Sequence, residues 1–191
     1  DTVTVSDNAI LDVASNTLGG AGTNLTMTGS SRYRTSASGT RPGAQGTYTL
    51  GSSSTIEFYG SSAILIRTTP TYANIEVAGT NVALSTNTAS LTLQSGTGFT
   101  VKNGATFYVR NVNGFSGGAS TAVKSNNSPT ITLETGATLN YNCDDALQSI
   151  EGSSYDCNLV LSNNGPKTFT ASSVTISGNF SASGGPVTGA T

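Results

Sequence analysis

Residues 99–109 read F-T-V-K-N-G-A-T-F-Y-V, a strand, a tight corner and a second strand in one short span. Apolar and polar residues alternate on either side of K-N-G-A, so Phe99, Val101, Phe107 and Val109 face one way and Thr100 the other. Gly104 and Ala105 are small, and glycine tolerates positive φ, which lets the backbone change direction sharply between the two runs. The pattern returns as V-T-V-S-D-N-A-I-L-D-V at 3–13, Y-T-L-G-S-S-S-T-I-E-F at 48–58 and I-T-L-E-T-G-A-T-L-N-Y at 131–141.

A longer repeat overlies this one. T-I-E-F-Y at 55–59 matches T-L-N-Y-N at 138–142, N-I-E-V at 74–77 matches N-L-V-L at 158–161, and L-T-L at 91–93 matches V-T-I at 174–176. The order of blocks is kept at a nearly constant offset, the mark of a chain that stacks units against their neighbours. Two architectures satisfy it: a right-handed parallel β-helix and a β-sandwich of hairpins. Asn-Gly pairs at 103–104, 113–114 and 164–165 suit hairpins. The like strands at 3, 48, 99 and 131 are unevenly spaced, however, and a β-helix absorbs this by extruding loops at its corners. The reading is therefore all-β, a β-solenoid of seven or eight coils at about 4.8 Å per coil. Irregular inserts are expected at 30–46, 113–129 and 143–157. Residues 1–181 read as one domain and 182–191 as a Gly/Pro linker, with the chain expected to be a piece of something longer.

Composition narrows the chemistry. Of 191 residues, 31 are Thr, 27 Ser, 23 Gly and 17 Asn, half the chain, while there is no His and no Trp. Eight Lys+Arg against ten Asp+Glu leave no basic footprint for nucleic acid. The longest apolar run, 63–66, is far short of a membrane span. Without His, and with one Cys pair, there is little with which to build a zinc or haem site or a His-dependent triad, and no cofactor or metal is expected. Cys143 and Cys157 bracket a short loop that a disulfide would close.

T-Y-T-L-G-S-S-S-T-I-E-F-Y-G-S-S-A at 47–63, P-T-Y-A-N-I-E-V-A-G-T-N-V-A-L at 70–84 and Y-D-C-N-L-V-L-S-N-N-G-P-K-T-F-T-A-S-S-V-T-I-S-G-N-F at 155–180 carry a resemblance. They resemble the β-strand-repeat regions of large Bacteroidota cell-surface proteins exported by type IX secretion, over about residues 47–181. The resemblance implies extracellular display at the cell surface and an adhesin, stalk or filament role. Partners would be other surface proteins, neighbouring repeats of the same chain, or glycans. It also implies O-glycosylation at Thr2, from the D-T-V that opens the chain.

Particular residues suit other functions. Arg32, Tyr33, Arg34 and Arg41 concentrate cationic and aromatic groups, which suits glycan or protein contact and a carbohydrate-binding or degenerate polysaccharide-active β-helix. Glu57 and Glu76 occupy outward strand positions in different units, with nothing in the sequence to bring them together, and Asp144 and Asp145 lie in the Cys-bounded insert. No catalytic residue is assigned, and the expected function is non-catalytic. T-x-T pairs at Thr2/Thr4, Thr26/Thr28, Thr47/Thr49, Thr86/Thr88, Thr130/Thr132 and Thr168/Thr170 raise an ice-binding alternative, against which the uneven spacing speaks, because it predicts rows out of register.

Overall fold

The computed structural model describes residues 1–19, 22–43 and 46–189. These residues form short β-strands and no helix, and every paired strand is parallel to its neighbour. The chain winds as a right-handed parallel β-helix of about eight turns, so the sandwich alternative falls.

Three faces run along the stack. The first begins with Thr2–Val5, Asn24–Met27 and Tyr48–Leu50 and continues in the pair Thr71–Tyr72 and Thr92–Leu93. The second is a six-stranded sheet of Ile10–Asp12, Arg32–Thr35, Thr55–Gly60, Asn74–Gly79, Gly98–Val101 and Thr130–Leu133. The third is a seven-stranded sheet running from Gly39–Arg41 through Thr106–Val109 and Thr138–Tyr141 to Phe180–Ala182. Smaller sheets, Gln148–Ile150 with Lys167–Phe169 and Val187–Thr188, and Ser154–Tyr155 with Thr175–Ile176, complete the last coils.

Register places like residues above one another. Tyr33, Ile56, Ile75, Phe99 and Ile131 form one inward column, and Ile64, Val82, Phe107, Leu139 and Leu159 another. Nearly all of these side chains are fully buried, so each coil contributes apolar area only by facing its neighbours. At mid-stack Phe99, Phe107 and Phe115 meet as a trio with ring centroids 5.1, 5.7 and 5.8 Å apart, the tilted contacts aromatic quadrupoles favour.

In the four copies of the eleven-residue pattern the corner is a hydrogen-bonded turn. Ala9 N donates to Ser6 O at 3.0 Å, Ser54 N to Gly51 O at 2.8 Å, Ala105 N to Lys102 O at 3.0 Å and Ala137 N to Glu134 O at 2.8 Å. Gly104 and Gly136 take φ of 75° and 88°, as their turns require. The eleven-residue pattern proves to serve two different corners. At 3–13 and 48–58 it joins the first face to the second; at 99–109 and 131–141 it joins the second to the third. The longer repeat shifts by one face in the same way, since 55–59 and 74–77 lie in the second sheet and 138–142 and 158–161 run along the third.

Several expectations change. The stretch 30–46 is no insert: it carries Arg32–Thr35 and Gly39–Arg41, with 44 and 45 outside the described residues. The stretch 143–157 carries Gln148–Ile150 and Ser154–Tyr155. The tail 182–191 is not all linker, because Val187–Thr188 pairs with Lys167–Phe169; residues 190 and 191 lie outside the described residues. The disulfide is also corrected. Cys143 and Cys157 are buried free thiols. Thr138 pairs with Asn158 and Tyr141 with Leu161, so Cys157 precedes the start of this strand pair and Cys143 follows its end. The strand between them spans about 13 Å, whereas a bridge needs Cα atoms within about 7 Å.

Candidate functional site

The outward side of the second face carries a cluster of five charged side chains, Asp12, Arg32, Arg34, Glu57 and Glu76. Its central row, in register, is Asp12, Arg34, Glu57, Glu76, Thr100 and Thr132. Arg32 stands one row away, beside Thr55, and reaches back into it. Glu57 and Glu76, which the sequence left in separate units, are thus direct neighbours on adjacent strands. Arg32 lies between them, with Nη1 2.9 Å from Glu57 Oε2 and 2.7 Å from Glu76 Oε2, and Nη2 3.2 Å from Glu76 Oε1. Arg34 forks onto Glu57 from the other side, Nε to Oε2 at 2.8 Å and Nη2 to Oε1 at 3.1 Å, and its Nη1 lies 3.4 Å from Asp12 Oδ2.

Tyr59 closes the group. Its hydroxyl donates to Asp12 Oδ1 at 2.8 Å, and the Arg34 guanidinium lies 4.7 Å above its ring. The Tyr59 hydrogen bond holds the Asp12 carboxyl below its usual range and pushes the Tyr59 phenol up. Hydrogen bonding to Glu76 raises Arg32, and hydrogen bonding to Glu57 raises Arg34. Two strands further on, Lys102 Nζ meets Glu134 Oε1 at 2.5 Å.

This arrangement clamps strands together. All four carboxylate oxygens of Glu57 and Glu76 accept from a guanidinium, so neither acid is set up as a proton donor and neither guanidinium fork is turned outward. One network ties four consecutive coils across their outer surface.

The expected contact cluster is accordingly divided. Arg32 and Arg34 face out into the network. Tyr33, between them, faces the core with no exposed surface and cannot touch an external ligand; burial pushes its phenol up to about 12. Arg41 belongs to the third face, beside Ile66, with its Nη1 donating to Thr40 O at 3.1 Å. Thr2 lies exposed at the start of the first face, its Oγ1 3.4 Å from the Asn24 amide. Asp144 and Asp145 line a polar cleft of about 240 Å³ with Ser85, Asn87, Arg110, Asn142 and Asn163. Among the described residues no three acidic or cysteine side chains gather as a metal site, and no helix is long and apolar enough to cross a membrane.

Sequence reasoning missed Asp12 and Tyr59 as members of the network. The usable signal was parity: Asp12, Arg34, Glu57 and Glu76 all fall at outward positions once their buried neighbours are aligned. No family model, no curated protein and no solved structure matches this chain.

Proposed function

We propose that this chain is a non-catalytic structural and adhesive segment of an extracellular, cell-surface protein, a stiff β-helical spacer that displays its faces and loops. The observation that supports this reading most directly is the unbroken parallel ladder of six and seven strands, clamped externally by the Arg32, Arg34, Glu57 and Glu76 network. Continuous backbone pairing over about eight turns gives a rod of roughly 35–40 Å in which no inner coil moves without breaking bonds to two neighbours. The network also weighs against the carbohydrate-binding alternative, since Arg32 and Arg34 would have to surrender their carboxylates before accepting a sugar.

Two measurements test the proposal. Stretched between its ends in a force microscope, the rod should resist and then yield coil by coil; extension like that of an unstructured chain would overturn the mechanical role. Antibodies against the chain should label intact cells of its source; labelling only after permeabilisation would overturn the surface assignment.

A further inference from the structure

The first face differs from the second in carrying a row of threonines. Thr4 pairs with Thr26 and Thr26 with Thr49; in a separate two-stranded sheet, whose Thr71–Tyr72 strand lies against Tyr48–Leu50, Thr71 pairs with Thr92. A second row, Thr2, Asn24 and Thr47, runs alongside, with Asn24 Oδ1 accepting from Thr47 N at 2.7 Å. Across Thr2–Val5, Asn24–Met27 and Tyr48–Leu50 the uneven spacing does not break the rows, because the extra residues leave at corners and these three strands stay in register.

The surface has the properties of a template. Parallel in-register strands repeat at about 4.8 Å along the stack and at about 6.6 Å between alternate residues of one strand. Stacked sheets stay flatter than open ones. β-Branching restricts each threonine at χ1, so equivalent positions can repeat one hydroxyl and methyl arrangement with little entropy left to lose. Thr4, Thr26, Thr49, Thr71 and Thr92 are exposed or half-exposed, and among the described residues none of their hydroxyls is engaged by a protein partner. Neither row contains a charged side chain, while Asp12, Arg32, Arg34, Glu57 and Glu76 all stand on the neighbouring face. The row ends where Lys124 and the 113–120 loop rise beside Thr92 around a polar cleft.

We infer that this face binds ice. A neutral, registered array of hydroxyls and methyls has as its complement an extended lattice of water, in which each hydroxyl exchanges hydrogen bonds with a site of fixed spacing. Crystalline polysaccharide is the less suitable occupant, because neither row offers an outward aromatic ring on which a sugar could stack.

The full chain is frozen slowly onto an ice shell and, separately, held in annealing polycrystalline ice, with serum albumin as the non-binding comparison. The chain should enrich in the shell and arrest recrystallisation. Thr49→Lys, which puts a charge in the middle of the row, should lose both effects, while Thr132→Lys on the charged face keeps them. Circular dichroism melts establish that the variants are folded; should Thr49→Lys melt early, Thr71→Tyr takes its place. Partition into ice no greater than that of albumin overturns the inference. So does equal behaviour of the Thr49 and Thr132 variants, or retention on crystalline chitin or cellulose without any effect on ice. Neither arm depends on the adhesive reading, which cell labelling and force measurements address separately.

Discussion

Arg32 sets the balance of the charged face. Glu57 and Glu76 are register partners, and like charges directly opposite on adjacent strands destabilise a sheet. Arg32→Ala should therefore cost about 1 kcal/mol, a modest figure because the Arg32 side chain is about 30% exposed and water screens it. High salt shortens the Debye length to about 3 Å, so the deficit in urea midpoint should shrink at 1 M NaCl. A salt-independent deficit would mean that packing of the arginine stem, not charge, was lost. Tyr33 makes the opposite kind of error. Its hydroxyl is buried with no hydrogen-bond partner among the described residues, so Tyr33→Phe should stabilise the fold by about 1 kcal/mol. The sign with pH follows from the phenol being raised to about 12 when folded. A raised pKa contributes stability that is complete below the unfolded value near 10 and is lost as pH climbs towards 12. The advantage of Tyr33→Phe over the parent should therefore widen between pH 10 and 12, by at most about 1.4 kcal/mol per unit, in parallel denaturant titrations. A constant gap would mean that the hydroxyl ionises in the folded state as it does in the unfolded one.

The corners separate space from conformation at the level of the element. Gly104 and Gly136 both take positive φ, and the Gly104 N–H lies 3.2 Å from Gly136 O, one corner stacked on the next. A Cβ at Gly104 would meet nothing, whereas one at Gly136 would lie 2.4 Å from Asn103 Oδ1. Gly104→Ala should thus cost only the left-handed penalty of about 1–2 kcal/mol, and Gly136→Ala more, as Asn103 is displaced. Equal losses in chemical denaturation would show that Asn103 swings away freely. Corner and strand were legible in the sequence because alternation and small residues report directly on which side is buried: Val5, Leu50, Phe58, Phe107 and Tyr141 all point inward as read. The elements that escaped notice break that alternation. In Gln148–Ile150 an inward position is polar, and Gln148 is held there by donating to Val109 O at 2.6 Å and Asn111 O at 3.0 Å. In Arg32–Thr35 two charged residues flank the one buried ring and imitate a loop. Nor could the sequence show that Glu57 faces Glu76 or that the threonine rows align, since both follow from register, which is fixed by where each loop leaves the stack.

A stack of coils has no single stability, because each coil is held only by the coils on either side of it. The middle coils, with Asn74–Gly79, Gly98–Val101 and Thr106–Val109, are covered on both sides, and they hold the phenylalanine trio and much of the fully buried core. The coil of Thr175–Ile176, Phe180–Ala182 and Val187–Thr188 is covered on one side only. Phe180 continues the inward column of Leu139 and Leu159 yet remains 50% exposed, and Val187 is 42% exposed. Local opening should therefore become easier along the molecule, with free energy near the global value at 74–109 and much lower at 175–188. Amide hydrogen exchange read by mass spectrometry should find the slowest peptides in the middle coils, graded loss towards 150–170, and the fastest strand peptides in the final coil. Equal protection from 74 to 188 would mean that the rod opens all at once, and that coupling between coils is stronger than the burial of each coil implies. A gradient would identify the final coil as a part of the rod that yields before its middle under load, so that forced extension from this end should begin there.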